Sequence, residues 1–218
     1  MVWHSLRQMR VRGRPLTRTE RRTLVALGIG ALLVLAGTVL GHVAFGVQIA
    51  EFTADPATSR DFPDYVGYVS HLSVLAWTAG ATVALLGAHI ATGPPRRFLL
   101  GAGILTAVLT LDDLFRVHED VGSAIGDSGE LAILALYAAA AAALLQRSRT
   151  FLLASTPVLV LVAAGGLFAI SVALDRSPVF VPAEYLFEDG SKLLGILAWA
   201  SFLSMVTLDT VRLQDAPC

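Results

Sequence analysis

Two short segments carry most of the chemistry available to this chain. The first is Leu111-Asp112-Asp113-Leu114-Phe115-Arg116-Val117-His118-Glu119-Asp120. The second is Glu184-Tyr185-Leu186-Phe187-Glu188-Asp189-Gly190-Ser191-Lys192. Carboxylates with imidazole suit zinc, manganese or non-haem iron. Asp112, Asp113, His118, Glu188 and Asp189 are the candidate ligands, with His42 and His71 as further ones. A divalent metal there would activate water for hydrolysis of a lipid or another substrate, and a spare carboxylate would act as general base. Helical ligands recur every three or four residues. The spacing of five from Asp113 to His118 therefore requires the helix to end between them.

The same residues support other readings. On one continuous helix, Asp112, Arg116 and Glu119 form an acid–base–acid ladder. Lys192, the sole lysine, follows Glu188 by four residues, the favourable order for a helical ion pair. Such pairs would simply dock two helices in a structural or assembly subunit. A layer of acids with one lysine also suits cation- or proton-coupled transport, although no inverted repeat is evident. His42 with His71 or His118 offers axial ligands for a b-type haem. Thr106, Thr110 and Asp113 share a face, which must look toward protein or water rather than lipid. Gly195 and Trp199 continue the face of Lys192, and Gly195 would admit a neighbouring backbone. No phosphate-binding loop, dinucleotide fingerprint or nucleophile elbow is present.

These residues must be positioned by membrane helices. Of the 218 residues, 55% are hydrophobic and only 15% charged, whereas soluble domains carry about 25% charged residues. Mean hydropathy is +0.68. This excludes an ordinary cytosolic enzyme and a nucleic-acid binder. The single cysteine, Cys218, excludes a disulfide framework and a cysteine-based zinc site. A span needs about 20 apolar residues. Six stretches qualify or come close: Leu24–Val47, Tyr65–Ala91, Phe98–Phe115, Leu131–Leu145, Phe151–Leu174 and Leu193–Leu208. The first is too long for a signal-peptide core. The fourth is short and rich in alanine, Ala138 to Ala143, which suggests packing on neighbours more than lipid contact.

The expected fold is an all-α, six-span transmembrane bundle, with residues 1–22 a basic tail, 23–213 one domain and 214–218 a short tail. Twelve arginines fall on one side, including Arg7, Arg10, Arg12 and Arg14, with three acids, for a net charge of +9. The other side holds fourteen acids and four basic residues, for −10. The positive side is expected in the cytoplasm, with both termini. This predicts a multi-pass cell-membrane protein whose basic tail attracts anionic lipid, with no nucleic-acid partner. His42, His71, the Asp112/Asp113 pair and Lys192 then share a layer roughly 5–12 Å below the outer surface, at 1.5 Å per residue. Asp55, Asp61, Asp64, Asp127 and Glu130 read as solvated loop or cap residues.

The two motifs together resemble a family of polytopic bacterial membrane proteins without an assigned activity. In that pattern a helix ends in Leu-Asp-Glu, four residues, then His-Glu, and a later helix carries an acidic pair, another acid and Leu-Gly. Here the motifs read Leu111-Asp112-Asp113-x4-His118-Glu119 and Glu188-Asp189-x2-Lys192-Leu193-Leu194-Gly195. The resemblance implies that Asp112, Asp113, His118, Glu188 and Asp189 act as a unit. Lys192 departs from it, placing a cation where the family pattern has a carboxylate.

Overall fold

The structure is a computed structural model that describes residues 17–53, 66–126, 128–155, 157–176 and 184–214. The arginines of the first sixteen residues, Asp55, Asp61, Asp64, Asp127, Asp215 and Cys218 lie outside them. Eight helices follow in order: α1 Arg18–Phe45, α2 Ile49–Thr53, α3 Tyr68–Ile90, α4 Gly93–Phe115, α5 Val117–Ile125, α6 Gly129–Ser155, α7 Val158–Asp175 and α8 Glu184–Gln214. No strand occurs among the described residues. Six of the helices, α1, α3, α4, α6, α7 and α8, are long and apolar enough to cross a membrane. The protein is therefore an all-α, multi-pass membrane protein, as its composition predicts.

Local sequence sets the helix ends. Thr17 and Glu20 form a capping box on α1: Thr17 Oγ1 accepts from Glu20 N at 3.1 Å, and Glu20 Oε2 accepts from Thr17 N at 2.7 Å. Gly46, at φ +69°, closes the same helix in a left-handed turn. Pro94 and Pro95 open α4, where a missing N–H costs nothing.

The fourth and fifth spans depart from the sequence reading. α6 runs for 27 residues, straight through Arg147 and Arg149, and takes in Phe151. Nothing in this alanine-rich stretch breaks a helix before Pro157, and exposed arginines can extend their heads toward the membrane surface. The fifth span consequently starts at Val158 rather than Phe151. The alanine run also faces outward, contrary to expectation: Ala138, Ala139, Ala140, Ala142 and Ala143 are exposed. α6 packs on α4 through a bulky residue instead, with Leu144 lying against the notch at Gly101.

The centre of the bundle is α3, α4, α7 and α8. Phe98, Leu99, Ile196, Phe202 and Leu203 are fully buried there. Trp77 of α3 stacks on Phe168 of α7 at 5.6 Å, and Phe98 meets Phe202 edge to face at 6.0 Å. In lipid, helix association depends on such close packing and on interhelical hydrogen bonds. A Cβ on Gly80 would lie 3.3 Å from the backbone of Ala200, which shows how closely α3 and α8 approach. What approaches Gly195 is the ring of Phe168, not a backbone. α1 stands at the periphery, joined to α3 by a 2.6 Å hydrogen bond between Thr38 Oγ1 and Tyr68 Oη.

Candidate functional site

The ends of α1, α4 and α7 lie on one side with the starts of α3, α6 and α8. This acidic end holds both chemical segments. α4 stops at Phe115, and Arg116 adopts a left-handed conformation, φ 52° and ψ 39°. It is the one non-glycine residue with positive φ among those described. The helix does end between Asp113 and His118, and the reversal brings His118 back over Asp112. The ladder of Asp112, Arg116 and Glu119 on one helix therefore does not form. Arg116 pairs with Glu119 across the turn, and Asp112 turns to the histidine.

Asp112 is 6% exposed and accepts three hydrogen bonds. Its Oδ1 takes the backbone N–H of His118 at 2.8 Å and the hydroxyl of Tyr137 at 3.0 Å. Its Oδ2 takes His118 Nδ1–H at 2.6 Å. The backbone bond caps the first turn of α5 with a side chain from α4, and this over-determined geometry holds the strained Arg116 in place. With Nδ1 donating, Nε2 is the free nitrogen of the ring, 3.9 Å from Glu119 Oε1. The bond to Asp112 and the carboxylate's charge raise His118 above the ordinary histidine range, against burial and the repulsion of Lys192.

A second group adjoins the first. The Lys192 ammonium of α8 pairs with Asp113 Oδ1 of α4, a partner on another helix that spacing along α8 did not suggest. Asp113 Oδ2 is buried with no hydrogen-bond partner among the described residues. Asp189 lies within electrostatic reach of both Lys192 and Asp113 and is hydrogen-bonded to the Thr53 side chain of α2. Two turns deeper, Trp199 Nε1 donates to Thr106 Oγ1 at 2.9 Å. Positions 106 and 113 on α4 thus match 199 and 192 on α8, seven residues apart on antiparallel helices. The threonine and aspartate face of α4 looks toward protein, as its polarity required.

The seven residues read as metal ligands do not assemble into one set. Among the described residues no three His, Cys, Asp or Glu side chains are placed to hold a metal ion. Asp112 and His118 bond to each other, and Asp113 bonds to a cation. His42 sits in the last turn of α1 with Nδ1 2.8 Å from Val47 O. His71 is exposed in the first turn of α3, closer to the helix end than its place in the sequence suggested. Neither forms a hydrogen bond or ion pair with the cluster. Glu188 is half-buried on α8, one turn before Lys192. Glu130 sits in the first turn of α6, as a cap residue would, and Arg176, the C-cap of α7, bonds to it at 2.7 Å and joins the two helices.

Sequence reading missed Tyr137. Its signal was available: it is the one polar residue in the stretch from Leu131 to Leu145. No curated protein and no solved structure matches the chain. Residues 26–206, which run from within α1 to within α8 and include both polar groups, match the domain of unknown function DUF8692, and the chain belongs to that family.

Proposed function

We propose that the acidic end carries a proton-transfer site, with His118 as the exchanging group and Asp112 as the residue that orients it. The observation that carries this reading is the paired contact of Asp112 with His118, through ring and backbone together. An imidazole held at Nδ1 by a carboxylate presents Nε2 to accept or release a proton, which is the arrangement general acid–base chemistry requires. The charge asymmetry of the loops supports an exterior location for this site, with both termini in the cytoplasm. Asp113 and Lys192 form a fixed, charge-neutral neighbour that keeps the ends of α4 and α8 together.

The test is a histidine NMR titration of the full chain in lipid nanodiscs, run beside proton flux in proteoliposomes. His118 is expected to titrate above the ordinary histidine range, and to return toward it in Asp112→Asn. Flux, or any acid–base activity found, is expected to fall in His118→Gln. An imidazole that never exchanges across the titration would defeat the proposal.

A second reading is a structural subunit whose polar layer docks its helices. It is favoured by the matched rungs Asp113–Lys192 and Thr106–Trp199 between α4 and α8. Under that reading His118→Gln lowers stability and leaves proton flux untouched.

A further inference from the structure

Helix α5 divides into three sectors. At 100° per residue, Val117, Val121 and Ile125 fall within about 80° of one another. His118 and Gly122 fall together on a second sector, and Glu119, Asp120 and Ser123 on a third. The second sector faces protein: His118 bonds to Asp112, and a Cβ on Gly122 would lie only 2.6 Å from the backbone N and Cα of Glu130. The third is polar. The first is apolar and uncovered, rising from 36% exposure at Val117 to 70% at Ile125.

The orientation of α5 follows from its connections. It joins the end of α4 to the start of α6, two spans that pack together and terminate on the same side of the membrane. Nine residues give a helix about 13.5 Å long. Its sixth residue, Gly122, touches the first turn of α6, so the helix is held against the bundle end rather than standing away from it. The last turn of α4, directly before α5, is likewise exposed and apolar at Leu111, Leu114 and Phe115. On a membrane-spanning helix that surface faces acyl chains.

We propose that α5 is an interfacial helix whose Val117, Val121 and Ile125 stripe is seated in the adjacent lipid leaflet. Its partner is zwitterionic phospholipid. The polar sector carries Glu119 and Asp120 and no cation, so anionic headgroups gain nothing from it. Val117 directly precedes His118, so the lipid seat and the Asp112 contact are made by successive residues of one short helix.

The test uses full-length protein with Cys218→Ser and single cysteines at Val121, Ile125 or Ser123. Each carries an environment-sensitive fluorophore, and the vesicles are pure phosphatidylcholine. Labels at 121 and 125 are expected to shift to the blue. A shallow nitroxide lipid should quench them several-fold more than the label at 123, with iodide showing the reverse order. Adding anionic lipid should change neither. Hydroxyl-radical footprinting of the unmodified protein in the same vesicles covers the case of labelled variants that fail to fold, and should leave Val121 and Ile125 unoxidised. Equal iodide access at all three positions, or oxidation of Val121 and Ile125 at water-exposed rates, would overturn the proposal. So would shielding from both quenchers, which would place protein rather than lipid on the stripe.

Discussion

Replacing Asp112 with Asn keeps the shape of the side chain and removes its charge. Asp112 accepts from His118 N, His118 Nδ1 and Tyr137 Oη. The amide oxygen can still accept one or two N–H or O–H donors, but its NH2 group then meets Nδ1–H donor to donor. The ring must flip its tautomer or withdraw. Hydrogen bonds to charged groups are worth about 1.5–3 kcal/mol each, and an unsatisfied buried donor costs about 1–3 kcal/mol. Both side chains are mostly buried, at 7% and 16% exposure, so solvent screening is slight. Asp112→Asn should therefore cost about 2–4 kcal/mol of stability in detergent or nanodiscs. The pH dependence is the sharper test. His118 is raised in the folded protein by Asp112, so its protonation stabilises the fold. That contribution is complete below the unfolded value of about 6.5 and is lost as pH rises through the elevated folded value. The groups around the ring are Asp112, Glu119, Lys192 and Tyr137, and of these Asp112 makes the largest contribution to the shift. Unfolding midpoints of wild type and variant, measured between about pH 6 and about pH 9, should converge as pH increases. A constant gap across that range, or a wild type that gains stability toward alkaline pH, would refute the reasoning.

Other substitutions probe the surrounding contacts. Lys192→Met leaves the buried Asp113 carboxylate without its cation and should cost about 1–3 kcal/mol, reduced from the fully buried case because the lysine is over a third exposed. Adding Asp113→Asn should recover most of that loss, which a double-mutant cycle on unfolding midpoints will show. Gly122→Ala places a methyl group against the Glu130 backbone and should lift α5 from α6. Overpacking of this kind costs about 1–3 kcal/mol, and faster amide exchange confined to α5 will report it. Trp199→Phe keeps the ring packing and loses the bond to Thr106, with an expected cost of about 1 kcal/mol in thermal unfolding.

Much of the architecture was written in composition and periodicity. Six apolar runs became six spanning helices, because lipid leaves the backbone no alternative to a fully hydrogen-bonded helix. Whether a helix ends between Asp113 and His118 was open, since a shared metal required a break there and the ladder of Asp112, Arg116 and Glu119 required none. The protein-facing stripe of Thr106 and Asp113 followed from the cost of polar groups in lipid. Partner choice was not legible. Lys192 bonds to Asp113, 79 positions away on another helix. Asp112 bonds to His118 and Tyr137 rather than to Arg116. Helical spacing ranks only neighbours along one helix, whereas the choice among competing charges depends on where a chain reversal and a neighbouring helix place each group. The left-handed Arg116, which no sequence rule favours over a glycine, creates that reversal. The outward alanine face of α6 has a similar cause: small residues permit close packing, but only the arrangement of α3, α4, α7 and α8 decides which helices take the centre and which are left facing lipid.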